Sequence, residues 1–165
     1  MIQRFLHRYG FGIQSPWAYS LVRNVLYEPL RYYAYDELRE KFPQCSKTEQ
    51  KRNEQLFRIV NHFKPQEVKI VGKPSPPNSH ILASYKNYLD GSHPILYYIA
   101  PSAPISSIST TFSDGTVLVV DDIQGTNKAA WKLLTDQAQV TAIFDMQYRG
   151  LLYCDAKRIR QTYML

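Results

Sequence analysis

The chain has 165 residues, 44% of them hydrophobic and 21% charged, which is the balance of a folded domain rather than of a disordered segment. No apolar run approaches the roughly eighteen residues of a membrane span, and neither a signal peptide nor a cysteine framework is evident, so we expect a cytoplasmic protein with no membrane partner. The net charge of +6 is concentrated in residues 1–64, where eleven Lys or Arg face six acidic residues; a solvated helical surface is the preferred interpretation.

The first third of the sequence predicts helices. Ser15 can cap a helix, and Pro16 is suited to its first position. A second short helix is expected over residues 35–42. Ser46 and Glu49 have the spacing of a capping box. The helix that this box opens has an apolar face formed by Leu56, Phe57, Ile59, Val60 and Phe63.

From residue 68 onward the pattern changes to strands that alternate with helices. Strands are expected at residues 68–72, 95–99, 117–120, 140–144, 151–153 and 162–165. Helices are expected near residues 79–89 and after Thr126 or Asn127. The alternation predicts an α/β fold with a doubly wound sheet. We expect a single domain over residues 1–165, in which a helical segment (1–64) packs on a core formed by residues 65–165.

Two stretches resemble a bacterial branch of the class I S-adenosylmethionine-dependent methyltransferases. The opening RYGFGIQSPWAY is similar to that branch's Gly-Phe-Gly-x-His-Ser-Pro-Phe signature, with Gln14 in place of His and Trp17 in place of Phe. The C-terminal third is similar to the branch's strand ending in Asp-Asp-Ile, its helix with Ala-Trp, and its closing hairpin. The matching residues are Asp121, Asp122, Ile123, Trp131, Asp145, Gly150 and Leu151. The resemblance implies a Rossmann-like, methyltransferase-type sheet that is shortened by about two strands.

The resemblance places the family's cofactor loop, Glu-Ile-Gly-x-x-x-Gly, directly after the first strand. It makes Gly72, Ser75 and Asn78 the candidates for cofactor binding. Ile70, however, stands where the family has an acid, and Pro76 stands where a glycine lets the backbone approach the ligand. Proline lacks an amide hydrogen, and its ring fills the space that glycine leaves open. We therefore expect no cofactor; S-adenosylmethionine would be the cofactor if the family's function were retained.

Carboxylates at the ends of later strands are the other candidate ligands. Residues 95–99, which match either the second or the fourth strand of the family, are followed by Ala100 where an acid is expected. Asp121 and Asp122 end a buried strand at the edge where α/β proteins bind ligands. Related metal-dependent O-methyltransferases use an acid here for a divalent cation, so both residues are candidate metal ligands. The preferred interpretation is that one caps the following helix and the other faces solvent, and no residue is predicted to be catalytic.

Three functions remain open. The preferred one is a methyltransferase-like protein with a degenerate cofactor site, catalytically inactive, that serves as a binding or regulatory module. The first alternative is an active small-molecule methyltransferase with a remodelled site. The second is a basic nucleic-acid-binding module, although nucleic acid is not the expected partner. Its candidate residues are Arg4, Arg8, Arg23, Lys157, Arg158 and Arg160.

A sheet that has lost strands is also expected to expose an edge. We therefore predict a homodimer or a protein partner, joined through the strand at 95–99 or the segment 105–112. The alternative is that residues 102–113 fold back and cover this edge.

Overall fold

A computed structural model describes residues 6, 8–84 and 94–165, which form two compact units. The helical unit comprises the described residues up to 64 together with 75–84, and the sheet unit comprises 65–74 and 94–165. The helix expected near 79–89 spans Pro76–Ala83 instead and belongs to the helical unit rather than to the sheet core. Residues 85–89 of that expected helix lie outside the described residues. The packing of residues 1–64 on the sheet stays a prediction.

The helical unit contains four α-helices whose whole length lies within the described residues, and the sequence predicts the first three of them closely. They are α1 (Pro16–Leu21), α2 (Tyr33–Lys41), α3 (Lys47–Phe63) and α4 (Pro76–Ala83). The cap of α1 is confirmed, because the Ser15 hydroxyl oxygen accepts a hydrogen bond from the Ala18 amide at 3.3 Å. The capping box of α3 is confirmed as well, since the Glu49 carboxylate accepts from the Ser46 amide at 2.8 Å. None of the helices in the described part of the chain has the length and apolar character needed to cross a membrane.

Helix α1 continues directly into a π-helical segment, Val22–Leu26, whose end is held by α3. The Arg58 guanidinium donates to the carbonyl oxygens of Val25 at 2.6 Å and Leu26 at 3.1 Å. It also donates to the Tyr35 hydroxyl at 2.9 Å. Carbonyl groups at a helix end have no intrahelical donor, so these bonds satisfy them and tie three helical segments together.

The sheet unit contains a six-stranded mixed sheet. Its strands are β1 (Glu67–Val71), β2 (Ile95–Ile99), β3 (Val117–Asp121), β4 (Val140–Asp145), β5 (Arg149–Cys154) and β6 (Gln161–Met164). Their order is β1-β2-β3-β5-β4-β6. Strands β1, β2 and β3 are parallel, β5 is antiparallel to both β3 and β4, and β6 is parallel to β4. The α/β fold is thus confirmed and is compatible with a Rossmann-like sheet, although the sheet is mixed rather than all parallel.

The prediction that strand 95–99 forms an open edge is wrong. Strand β2 pairs with β1 along its whole length and with β3 from Leu96 to Ile99. The strands at the two ends of the described sheet are β1 and β6. Sequence pattern gives the face of a strand but not its neighbours, because strand order depends on pairing between distant segments.

One face of the sheet is covered by the segment 103–112 and by α5 (Lys128–Thr135). Ala103, Ile108 and Phe112 are buried in the same cluster as the β3 side chains, and the Phe112 ring lies edge-on to Tyr97 with centroids 5.3 Å apart. This segment therefore does fold back, but over a face of the sheet rather than over an edge. Most of its apolar side chains are covered within the sheet unit.

The motif residues Trp131 and Gly150 are in contact. A Cβ atom added at Gly150 would lie 2.1 Å from the Trp131 ring, so the indole of α5 packs directly on the backbone of β5. No other residue leaves room for this contact, because every other side chain begins with a Cβ atom. These two matches to the family motif consequently serve packing.

Candidate functional site at the carboxyl ends of the strands

The loop after β1 packs against the loop after β2. Gly72 has a φ of 84°, a conformation that glycine adopts without strain. A Cβ atom at Gly72 would lie 3.1 Å from the Ala103 Cβ atom and 3.4 Å from that of Ala100. The Ala100 amide also donates to the Val71 carbonyl oxygen at 2.9 Å. The close backbone approach that glycine permits here is thus to another loop of the protein.

The other two candidate cofactor residues lie in the helical unit. Ser75 is the N-cap residue of α4 but its side chain makes no capping hydrogen bond, and Asn78 is buried in the first turn. Pro76 and Pro77 occupy the first positions of the helix. Helix starts bind anions through backbone amides, and these two prolines supply none. The predicted grouping of Ser75 and Asn78 with Gly72 spans both units and stays a prediction.

The positions at which the family has carboxylates carry apolar side chains in different surroundings. Ile70 is 47% exposed, whereas Ala100 is fully buried. Neither can accept a hydrogen bond from a ribose hydroxyl or pair with a charged amine through its side chain.

Asp121, at the end of β3, is engaged in a buried ion pair. It lies directly opposite Arg149 in the antiparallel register. Arg149 Nε is 2.5 Å from Asp121 Oδ1, and Arg149 Nη2 is 2.9 Å from Oδ2. The Tyr98 hydroxyl of β2 donates to Oδ2 at 2.6 Å, and all three residues are almost fully buried. Both carboxylate oxygens therefore already accept hydrogen bonds.

The charge state of this pair follows from its surroundings. Burial by itself lowers the pKa of the Arg149 guanidinium, because a low-dielectric interior disfavours the charged form. The charge and hydrogen bonds of Asp121 act in the opposite direction and prevail, so the pKa of Arg149 lies above its ordinary value. Arg149 is thus a permanent cation in contact with Asp121.

Asp122 organises the turn that leads into α5. Its φ is 57°, and its Oδ2 accepts from the Thr126 amide at 2.8 Å and from the Thr126 hydroxyl at 2.7 Å. Gly125 lies against the carboxylate: a Cβ atom there would be 2.5 Å from both Asp122 oxygens. The expectation that one Asp caps the following helix and the other faces solvent is wrong in part: Asp122 bonds Thr126, which precedes the N-cap residue Asn127, and Asp121 is fully buried.

Asn127 joins the ends of β2 and β3, a role that the sequence did not reveal. Its Nδ2 donates to the carbonyl oxygens of Ala100 at 2.7 Å and Asp121 at 2.8 Å. It occupies the N-cap position of α5 but makes no side-chain cap bond. The side chain is buried, and its Oδ1 has no hydrogen-bond partner within the described part of the chain. A residue typical of helix caps is used here to connect two strands.

The metal prediction for Asp121 and Asp122 does not fit this arrangement. A divalent cation needs several oxygen ligands, and within residues 6, 8–84 and 94–165 no three His, Cys, Asp or Glu side chains come together. A cation at Asp121 would also be repelled by Arg149 and would have to displace its hydrogen bonds.

A concave region lies at the opposite end of the sheet. It is a cleft of about 500 Å³ whose lining includes Thr141, Cys154, Arg158 and Arg160. Burial raises the pKa of the Cys154 thiol to about 11, so this thiol is not a ready nucleophile. Arg158 pairs with a carboxylate of the same turn at 2.7 Å, and Arg160 donates to backbone carbonyl oxygens at the end of α5. Arg158 and Arg160 of the basic C-terminal cluster therefore make contacts within the sheet unit.

No family model, curated protein or solved structure matches the chain significantly. The resemblance to the methyltransferases therefore stays a prediction from the motifs in the sequence.

Proposed function

We propose that the protein is a methyltransferase-like protein with a degenerate cofactor site, catalytically inactive, that serves as a binding or regulatory module. The observation that carries this proposal is the contact of Gly72 with Ala100 and Ala103. A nucleotide cofactor in a Rossmann-like fold needs open backbone at this glycine. Here the position is occupied by protein atoms, and the prolines that follow remove amide donors.

The order of the first three strands is compatible with a Rossmann-like sheet and bears on which family strands residues 67–71 and 95–99 would match. A Rossmann sheet has the order 3-2-1-4-5-6, in which strand 1 lies between strands 2 and 4. Here β2 lies between β1 and β3. If the Rossmann strands 2 and 3 are absent, strand 1 is followed by strands 4 and 5, which matches the order β1-β2-β3. If β2 were instead the counterpart of strand 2, β1 would lie between β2 and β3. The topology favours residues 95–99 as the counterpart of the fourth strand.

The remaining charged groups at the strand ends support inactivity. Asp121 is neutralised by Arg149, and Asp122 accepts hydrogen bonds from Thr126. A module that binds without catalysis needs no general base or metal at this edge. A homodimer or a protein partner stays part of the proposal, and the strands whose edges could take part are β1 and β6.

Calorimetric titration with S-adenosylmethionine and S-adenosylhomocysteine tests the proposal. We expect no saturable heat at millimolar ligand. Thermal unfolding with the same ligands is the second readout, because a ligand present at about 100 times its Kd would add about 2.7 kcal/mol to the free energy of unfolding. A one-to-one isotherm with micromolar Kd would overturn the proposal and favour the active small-molecule methyltransferase.

A further inference from the structure

The N-terminal glycine turn presents an exposed aromatic side chain. Gly10 and Gly12 have φ values of 84° and 77°, and Phe11 lies between them. The Tyr9 and Phe11 amides both donate to the Leu6 carbonyl oxygen, at 3.0 Å and 3.2 Å. These bonds define the turn, and Phe11 is 63% exposed on it.

Three other large side chains are exposed beside this turn in the sequence. Leu6 is 40%, Tyr9 51% and Tyr19 45% exposed. The Tyr19 ring packs on Gly10, where an added Cβ atom would come within 2.2 Å of it. The contact fixes one side of the Tyr19 ring while the rest is accessible. We call Leu6, Tyr9, Phe11 and Tyr19 the N-terminal aromatic surface.

Two arginines lie over tyrosine rings of the same region. The Arg23 guanidinium carbon is 5.6 Å from the centroid of Tyr9, and that of Arg8 is 5.3 Å from the centroid of Tyr27. Neither arginine forms an ion pair with a carboxylate of the described residues, and Arg8 Nε is buried without a hydrogen-bond partner among them. A guanidinium held over an aromatic ring keeps its N–H donors in the guanidinium plane, where they can meet a phosphate.

The net positive charge of the protein belongs to one unit. The sequence segments of the helical unit, 1–64 and 75–86, hold twelve Lys or Arg and six acidic residues. Those of the sheet unit hold eight of each. The N-terminal aromatic surface thus belongs to the unit that carries the whole net charge of +6.

We propose that the N-terminal aromatic surface binds single-stranded nucleic acid, with Phe11 and Tyr19 stacking on bases and Arg8 and Arg23 contacting phosphates. Proteins that bind single strands combine aromatic platforms with cationic groups that follow the backbone. Three of the four side chains of the surface are aromatic rings, which suits planar bases better than acyl chains. The proposal concerns residues apart from the cofactor loop, so it stands or falls independently of the methyltransferase-like assignment.

Fluorescence anisotropy of a labelled oligouridine of about twelve nucleotides tests this binding. We expect affinity that falls between about 50 and 200 mM salt. Phe11→Ala should weaken binding about fivefold or more through the loss of stacking. The double variant Arg8→Gln/Arg23→Gln should reduce the slope of log affinity against log salt by about 1.4, because each phosphate neutralised on a single strand contributes about 0.7.

Two matched variants control for general effects in the same unit. Tyr33→Ala removes a ring that is 92% exposed, and Lys47→Gln removes an exposed cation of α3; both should bind like the wild type. Circular dichroism establishes that each variant is folded. The proposal is overturned if the oligonucleotide does not bind at low salt, if duplex RNA binds equally well, or if the Phe11 and arginine variants bind unchanged. Binding to phosphatidylcholine–phosphatidylserine vesicles without oligonucleotide binding would also overturn it and assign the surface to lipid.

Discussion

The buried pair of Asp121 and Arg149 makes a quantitative prediction about stability. Arg149→Met keeps most of the side-chain volume but removes both donors to the carboxylate. Asp121 would then be a buried anion. Of the three residues Asp121, Arg149 and Tyr98, only Tyr98 would still donate a hydrogen bond to it, from its hydroxyl at 2.6 Å. Removing one member of a buried pair costs about 3–5 kcal/mol, and the Tyr98 bond places the expected loss near about 3 kcal/mol.

A double-mutant cycle separates the pair from its packing. Asp121→Asn alone should also destabilise strongly, because it leaves the Arg149 cation buried without a charge partner. The double variant Asp121→Asn/Arg149→Met contains no buried charge at this place. We expect its free energy of unfolding to lie at least about 2 kcal/mol above the value that adding the two single losses would give. Tyr98→Phe should cost about 1.5–3 kcal/mol, as expected for a hydrogen bond to a charged group.

Urea unfolding followed by far-UV circular dichroism measures these differences. With an m-value of about 1–3 kcal/mol per molar urea, a loss of 3 kcal/mol lowers the midpoint by about 1–3 M. An Arg149→Met loss below about 1 kcal/mol, or strictly additive single effects, would refute the assignment of a tight buried pair between β3 and β5.

Three further predictions concern packing, strand connection and a thiol. In thermal unfolding, Gly150→Ala should destabilise by about 1–3 kcal/mol or more, because the new methyl group meets Trp131 at 2.1 Å. Gly115→Ala is the control: a Cβ atom there has open space, so only its φ of 81° opposes the change, and the cost should be about 1–2 kcal/mol. Asn127→Ala should cost about 2 kcal/mol or more in the same assay, since two buried carbonyl oxygens lose their donor; a neutral result would contradict the bridge. Burial raises the pKa of Cys154 from 9.0 to about 11, so folding stability contributed by this thiol is full below pH 9 and is lost as the pH rises towards 11. The stability difference between wild type and Cys154→Ala should therefore shift against the wild type over that range, and equal pH profiles for the two proteins would refute it.

Local chemistry explains why several elements could be predicted from the sequence. The Ser15 cap and the capping box at Ser46 are satisfied by bonds that span three residues, so their signals are complete within short stretches. Strand 95–99 has the predicted bounds, and the strand predicted at 117–120 is one residue longer and ends at Asp121. Both could be recognised because strands that are covered on both faces consist of unbroken apolar runs. The resemblance to the methyltransferases likewise depended on short motifs.

The tertiary structure alone decided the order of the strands and the partners of the site residues. Strand β2 could not be recognised as interior, since pairing with both β1 and β3 joins segments far apart in the chain. The partner of Asp121 is Arg149, 28 residues away, and the atoms that close the Gly72 loop belong to Ala103. Asn127 had the signature of a cap, yet its side chain bridges two strands. Residue type determines which bonds a side chain can make, but the fold determines which atoms come within reach, and for Asp121 and Gly72 the side-chain atoms that matter belong to residues remote in sequence.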